Sequence, residues 1–135
     1  MANVQIELAA MPTMEAIDGK TRLILAGEQL FAQNGIHGAS MREIATKAGQ
    51  GNHAAVQYHF GSREGLVRAI FDFRMEQMEA ERGVMLQRAR AAGNLKDART
   101  ILEIILLPQL DLHDADGNHS YASFLSQYLL QSRSP

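Results

Sequence analysis

The sequence predicts an all-α protein, and three observations lead to that fold class. Apolar residues recur at steps of three and four along most of the chain, which is the spacing of one helix face. Residues that cap helices precede several of these stretches, and glycine follows them. No stretch alternates between apolar and polar residues as a half-buried strand does.

The composition fits a soluble globular chain and excludes several other classes. The 135 residues are 46% hydrophobic and 21% charged, which suits one domain, or one domain and part of another. The absence of cysteine excludes disulfides and thiolate metal sites and fits a cytoplasmic location. No run approaches the ~18 apolar residues of a membrane span, and no secretory signal is recognisable. Residues 1–18 show no period and are predicted to form a flexible arm.

The first helix is predicted to begin at Gly19 and to end at the pair Asn34-Gly35, where a left-handed residue would stop it. It is amphipathic, because its apolar residues lie on one face. These are Leu23, Ile24, Gly27, Leu30 and Phe31.

Two short helices are predicted next, separated by a glycine turn. In the sequence SMRE, Ser40 stands three residues before Glu43, which is the spacing of a capping box. The helix that follows has room for about eight residues before Gly49, and its apolar stripe is Ile44, Ala45 and Ala48. The turn covers residues 49–52, and a third helix is predicted over 53–59.

The fourth helix is the longest of those predicted. Ser62 is its expected cap, Glu64 lies in its electropositive first turn, and Gly93 should end it after about Ala92. Its apolar stripe is Leu66, Val67, Ile70, Phe71, Met75 and Met78.

Two further helices are predicted in the last third of the chain. The first has Asn94 as its expected cap, Pro108 should kink or end it, and its stripe is Leu95, Ala98, Ile101, Leu102 and Ile105. The second carries apolar residues at i, i+3, i+4, i+7 and i+8, namely Tyr121, Phe124, Leu125, Tyr128 and Leu129.

Residues 40–59 have the arrangement of a helix-turn-helix, in which the second helix lies in the major groove of DNA. A plain corner between two packed helices has the same spacing. The composition of the third helix favours the first interpretation, because a core helix should carry several large apolar groups and this one offers only Val56. Its small and polar residues suit a groove, where glutamine pairs with adenine and alanine contacts thymine methyls.

An ordered set of motifs points to a family. The set contains Leu30-Phe31 and then Gly35, IATKAG in the second helix, YHF at the end of the third, and SREGL at the start of the fourth. From Thr21 to Leu66 the sequence therefore resembles the DNA-binding domain of the tetracycline-repressor-like (TetR) family of bacterial transcriptional regulators. One departure is an extra residue, relative to the commonest family pattern, between Gly49 and Tyr58.

The resemblance implies a DNA-binding transcriptional regulator that binds a palindromic operator as a homodimer and responds to a small-molecule effector, with repression as the expected mode of action. It implies a DNA-binding domain over residues 19–62, and part of a helical ligand-binding and dimerisation domain over 63–135. Because the chain is shorter than is usual for the family, we expect that second domain to be incomplete, or its last helix to be covered by a partner chain.

The predicted DNA contacts lie in and around the second and third helices. Arg42, Tyr58, His59 and Arg63 are expected to reach phosphates. The alternatives are a surface pair with a nearby carboxylate for Arg42, a helix cap or internal packing for His59, and a solvated side chain for Arg63. Phe60 is expected to fill the core between the third and fourth helices. The full predicted set is Ser40, Met41, Arg42, Gln50, Gly51, Asn52, His53, Ala54, Ala55, Gln57, Tyr58, His59 and Arg63.

The charge distribution is polarised in the direction that DNA binding requires. Residues 40–68 carry a net charge of +2, from four basic and two acidic side chains, whereas the rest of the chain carries −4. A local excess of positive charge near a groove-binding helix favours a polyanion, even though the whole chain is slightly acidic.

Other signals support weaker alternatives. Tyr121, Phe124 and Tyr128 are possible effector contacts, although such a stripe is more often core or subunit interface. Residues 111–119 (DLHDADGNH) gather aspartates and histidines, but a polar loop is favoured over a metal site or an acid–base enzyme. No catalytic motif is recognisable, and neither a cofactor nor a metal is predicted. The competing function is a helical scaffold or protein-interaction module without DNA binding.

Overall fold

The computed structural model describes residues 18–132, which form six α-helices and no strand. In chain order the helices are α1 (Gly19–Asn34), α2 (Met41–Lys47), α3 (Ala54–Phe60), α4 (Arg63–Ala92), α5 (Ala98–Leu110) and α6 (Ser120–Gln131). The prediction of an all-α fold is confirmed. The predicted N-terminal arm lies outside the described residues, apart from Asp18. None of the helices in residues 18–132 combines the length and apolar character that a membrane span requires.

Side-chain oxygens cap the starts of α1, α2 and α4. Asp18 Oδ1 accepts a hydrogen bond from the Thr21 amide at 2.7 Å. Ser40 Oγ accepts from the Glu43 amide at 3.0 Å, and Ser62 Oγ accepts from the Gly65 amide at 3.0 Å, as the sequence predicts for both serines. These bonds satisfy amides that have no partner within the helix, so the three helix starts are fixed locally.

The cap of α5 differs from the prediction. Asp97, not Asn94, caps this helix, and its carboxylate accepts from the amide and the hydroxyl of Thr100 at 3.0 and 2.8 Å. The side-chain and backbone hydrogen bonds from Thr100 lower the pKa of Asp97. Asn94 instead belongs to the end of α4, since its amide donates to the Ala89 carbonyl at 2.8 Å beyond the left-handed Gly93.

The core is formed by one face each of α1, α2, α4 and α6, with a single residue from α3. Phe31 on α1 and Phe124 on α6 are both fully buried, and their ring centroids lie 6.2 Å apart. The α6 helix packs along α1 and so joins the last part of the chain to the first. Other buried core residues are Leu23, Ile44, Val56, Leu66, Ile70, Met78 and Tyr121.

A buried ion pair and a close helix contact hold α1 against α4. Glu28 is 1% exposed and accepts two hydrogen bonds from Arg74, both of 2.7 Å. Arg74 also donates to Gln77 at 2.8 Å. Near the start of α4, a Cβ built on Gly27 would lie 3.0 Å from Leu66, so the small residue lets the two helices approach. The two contacts fix the position of α4 relative to the N-terminal helices.

The α5 helix packs on α4 with only a narrow face. Its buried residues are Ile104 and Pro108, and Arg82 of α4 donates to the carbonyls of Ile104 and Ile105 at 3.3 and 2.8 Å. Pro108 does not end the helix, because α5 continues beyond it to Leu110. The stripe predicted from the sequence faces outward: Leu95, Ile101, Leu102 and Ile105 are all at least 40% exposed.

Candidate nucleic-acid interface

The α2 helix is a short brace that is anchored to the core. Ile44 and Ala45 are buried in it, and Ala48 is buried directly after it. Gly49 then turns the chain with a positive φ of 74°, and the Gln50 amide donates to the Ala45 carbonyl at 2.9 Å. The turn is therefore fixed at its start, and it directs the following residues away from α2.

The α3 helix buries one of its seven residues and exposes four of the others. Val56 is 2% exposed, whereas Tyr58 is 85% exposed. Gln57 and His59 are exposed beside it, and Ala54 is exposed in the first turn. A corner inside a helical bundle would seal these side chains beneath neighbouring helices. Here they form a continuous outward surface of small and polar groups, of the kind that suits a DNA groove.

The residues before α3 are partly used to start it. Asn52 Oδ1 accepts from the Ala54 amide at 2.9 Å, and the Asn52 carbonyl accepts from the Ala55 amide at 3.1 Å. The side-chain and backbone carbonyl oxygens of Asn52 are thus both occupied, while its side-chain amide group remains available for a base or phosphate. Gly51 and His53 are exposed, whereas Gln50 is half-buried against Gly19 at the start of α1.

The aromatic residues at the end of α3 divide between the surface and the core. The rings of Tyr58 and His59 meet edge to face, with centroids 5.0 Å apart, and both side chains are exposed. Phe60 is partly buried and packs against the core, which confirms its predicted position. Gly61 has a φ of 76° and ends the helix, and a side chain there would be strained. The hydroxyl and the imidazole are thus exposed at the surface, and their contact with phosphate stays a prediction.

Arg63 has a structural contact that the sequence did not reveal. Its Nη1 donates to the carbonyl of Ile36 at 2.9 Å and to the carbonyl of Ala39 in a shorter bond. The guanidinium is therefore neither freely solvated nor wholly available for a phosphate. It ties the first turn of α4 to the connection between α1 and α2, and its contact with DNA stays a prediction.

The other predicted contacts differ in exposure. Ser40 and Arg42 are exposed at the start of α2, where Met41 is half-buried. Ala55 is also half-buried, on the side of α3 next to Val56. The exposed members of the predicted set are thus Ser40, Arg42, Gly51, Asn52, His53, Ala54, Gln57, Tyr58 and His59.

Two of the three possible effector contacts are core residues. Tyr121 and Phe124 are buried and pack with Phe71, and burial together with the charge of Glu28 raises the pKa of Tyr121. Tyr128 is 39% exposed and lies 5.0 Å from the Phe71 ring at the edge of a cleft. Of the aromatic stripe, only Tyr128 is therefore placed at a surface opening.

The loop between α5 and α6 is organised by its own hydrogen bonds. Asp114 accepts from the amides of Asp116 and Asn118 at 3.0 and 2.8 Å, and from the Asn118 side chain at 2.9 Å. The bonds from Asn118 lower the pKa of Asp114. Within the described part of the chain, no group of three or more histidine or acidic side chains is arranged to hold a metal ion. Residues 111–119 lie between the ends of α5 and α6, as predicted for an interhelical loop.

Comparison with known proteins finds a family match for the N-terminal helices. Residues 23–70 match the family model described as bacterial regulatory proteins, tetR family. These residues are therefore similar to the tetR family. The match covers most of α1, all of α2 and α3, and the first turns of α4, which confirms the resemblance over Thr21 to Leu66.

Two curated relatives match the same share of the chain's length. The HTH-type transcriptional regulator UidR of Escherichia coli strain K12 is 37% identical over 70 residues, which are 52% of this chain and 31% of UidR. The HTH-type transcriptional dual regulator CecR of Shigella flexneri is 43% identical over 79 residues, which are 52% of this chain and 34% of CecR. The chain matches about a third of the length of these relatives. No solved structure gives a significant match.

The buried pair of Glu28 and Arg74 is a contact that the sequence analysis does not predict, although one of its residues carries a signal. Glu28 lies on the apolar stripe of α1, between Gly27 and Phe31. A carboxylate on a buried face needs a cationic partner, which the structure identifies as Arg74. The partner itself is 46 residues away, so no local pattern could have named it.

Proposed function

We propose that this chain is a DNA-binding transcriptional regulator, a repressor, that inserts α3 into the major groove of a palindromic operator. The observation that carries the proposal is the exposure of α3. One valine anchors the helix, while Gln57, Tyr58 and His59 face outward. The tetR-family match over residues 23–70 supports the same function, because UidR and CecR are transcriptional regulators.

We further propose that the regulator binds its operator as a homodimer. Leu107 and Leu110 on α5, and Leu129 and Leu130 on α6, are between 42% and 62% exposed. Apolar side chains in such numbers favour a second protein surface. A dimer would present two copies of α3, and each would occupy a half-site about 34–36 Å from the other. Release from DNA would follow when a small molecule changed that separation.

The function is tested by duplex binding as a function of salt concentration. Duplexes that bind are selected from a random pool, and their affinity is measured by fluorescence anisotropy between about 50 and 200 mM salt. A DNA-binding protein that makes several phosphate contacts loses affinity steeply over this range, by roughly 10³-fold or more for six contacts. A palindromic selected sequence would also support the dimer.

Matched variants identify the surface that binds. Gln57→Ala should weaken binding to the selected sequence by about 1–3 kcal/mol if it contacts a base. Arg42→Gln should weaken binding to all duplexes and reduce the salt slope by about one. Arg90→Gln, which removes the same charge from the far end of α4, is the control and should change neither quantity. Equal effects of all three variants would contradict the proposal.

A helical protein-interaction module is the second candidate function, and the exposed leucines of α5 and α6 favour it. It predicts no salt-dependent duplex binding and no effect of Gln57→Ala. The same titration therefore separates the two functions.

A further inference from the structure

A cleft of about 500 Å³ lies where the N-terminal helices meet the end of α6. Its walls come from three parts of the chain: the connection between α1 and α2, the first turns of α4, and the last turn of α6. The residues that decide its chemistry are His37, Arg68, Phe71, Tyr128 and Gln131. It lies beside the predicted DNA-binding surface, and it is distinct from the exposed face of α5.

One wall of the cleft is apolar and aromatic. Phe71 and Tyr128 meet edge to face with ring centroids 5.0 Å apart, and the buried side chain of Val67 continues the wall along α4. Ile36 adds a further apolar side chain to the lining. A planar ring can pack against such a wall in the offset or edge-to-face geometries that aromatic groups prefer.

The mouth of the cleft is cationic. Arg68 and His37 are exposed there, and Arg63 lies half-buried beside them. Glu64 supplies a carboxylate at the same rim, so the arginines leave a net positive charge even when His37 is neutral. Nη1 of Arg63 is held by the carbonyls of Ile36 and Ala39, and Arg68 is therefore the side chain that is free to turn toward an anion.

The cleft also contains an unpaired hydrogen-bond acceptor. The Oε1 atom of Gln131 is buried and has no hydrogen-bond partner among the described residues. The other end of the same amide packs over Gly35, where an added Cβ would lie 3.4 Å from Nε2. A buried acceptor without a donor is unfavourable, so an occupant that brings a hydroxyl or N–H group would be stabilised.

We propose that this cleft binds a small aromatic carboxylate that carries a hydrogen-bond donor. The ring packs against Phe71 and Tyr128, the carboxylate pairs with Arg68, and the donor reaches Gln131. This deepens the proposed function by naming the class of effector, and only its effect on operator binding rests on that function. Arg63 connects the cleft to the helix-turn-helix, because it lines the cleft and also holds the segment that leads into α2.

The binding test needs no DNA. The probe is 6-hydroxy-2-naphthoate, whose fluorescence reports binding, and its methyl ester serves as the uncharged analogue. We expect the acid to bind more tightly than the ester. Arg68→Gln should lower the affinity for the acid about tenfold, as expected for the loss of one charge-assisted hydrogen bond at a partly exposed site. The affinity for the ester should not change. Arg90→Gln, the charge-matched control, should affect neither ligand.

The position of the probe is tested separately. Gln131→Leu removes the buried acceptor. It should lower the affinity for 6-hydroxy-2-naphthoate more than the affinity for 2-naphthoate, which lacks the hydroxyl group. Chemical shifts of the 1H–15N spectrum should change around His37, Phe71 and Tyr128, and circular dichroism confirms that each variant is folded. Changes confined to α5, or equal acid affinity in Arg68→Gln and Arg90→Gln, would overturn the proposal.

An operator titration with and without the probe then separates the two proposals. Cleft binding that changes operator affinity supports the assigned effector class. If the acid binds in the cleft and operator affinity is unchanged, the binding site stands and its regulatory role is wrong. If no duplex binds at all, the regulator proposal fails while the DNA-free data still decide the site.

Discussion

The helices α3 and α5 are both poorly buried, yet their exposed surfaces have opposite chemistry. In α3 the buried residue is Val56, and in α5 the buried residues are Ile104 and Pro108. The outward residues of α3 are small, polar or aromatic with a polar group, whereas those of α5 are mainly leucine and isoleucine. The exposed groups of each helix fit the partner that we propose for it, which is a polyanion for α3 and an apolar protein surface for α5.

The largest expected effect concerns the scaffold that carries both helices. Glu28→Ala would leave Arg74, whose side chain is 12% exposed, without its carboxylate. Removal of one partner of a buried ion pair costs about 3–5 kcal/mol, so the free energy of unfolding in urea should fall by that amount. Glu103→Ala, which breaks the exposed pair with Arg99, is the control and should cost less than about 0.5 kcal/mol. Similar losses in the two variants would mean that the buried pair is not what fixes α4.

The second prediction compares the anchor of α3 with an exposed residue of α5. Val56→Ala removes two buried methyl groups, and it should lower the free energy of unfolding by about 1.5–2.5 kcal/mol. Leu106→Ala removes more apolar surface, but Leu106 is 50% exposed, so the monomer should lose less than about 0.5 kcal/mol. Urea titrations at a concentration that keeps the chain monomeric measure both. The comparison fails if Leu106→Ala is the more destabilising change.

The third prediction tests the apolar surface itself. Leu107 is 42% exposed in the single chain, and a dimer would remove this apolar surface from water. Leu107→Ser should therefore weaken self-association by about 1–2 kcal/mol. Sedimentation equilibrium gives the association constant. Tyr58→Ala removes a large exposed side chain from α3 and should leave the constant unchanged. An association constant that depends on Tyr58 and not on Leu107 would reverse the assignment of the two surfaces.

The smallest expected effect is a pH dependence where α4 meets the end of α5. Burial, followed by the charge and hydrogen bond of Asp111, raises the pKa of Glu81. Because the folded pKa lies above the unfolded one, the protonated carboxyl favours folding, and its contribution is present at low pH and lost as the pH rises through the raised pKa. Glu81→Gln should therefore stabilise the chain near neutral pH and have less effect near pH 4. Unfolding curves at the two pH values measure the difference, and an equal shift at both would exclude Glu81 as the titrating group.

The features that sequence predicts well in this protein are local. The caps Ser40 and Ser62 and the stop at Gly35 involve residues no more than four apart, and all three are found in the structure. The small and polar character of the exposed residues of α3 is also a local feature, because it follows from the sequence of one short helix. For these reasons the predicted helix-turn-helix agrees with the structure over residues 40–60.

The features that were missed depend on contacts between distant segments. Periodicity defines a stripe on α5 but does not say which face meets α4, and the face that does so carries Ile104 and Pro108. The sequence likewise suggests a phosphate for Arg63, whereas the nearest acceptors are carbonyls 24 and 27 residues earlier in the chain. The cap of α5 was misplaced because Asn94 and Asp97 are both good capping residues, and the geometry of Gly93 decides between them.

The attachment of Arg63 has a mechanical consequence. It clamps the base of α4 to the segment that enters α2, and α4 then extends for 30 residues, or about 45 Å. A rotation of about 5° about that base would displace the opposite tip by about 4 Å, by simple trigonometry on that length. Conversely, a modest push at the tip turns the base through only a small angle. The helix thus acts as a lever, in which a large displacement at the far end corresponds to a small rotation at the end held by Arg63.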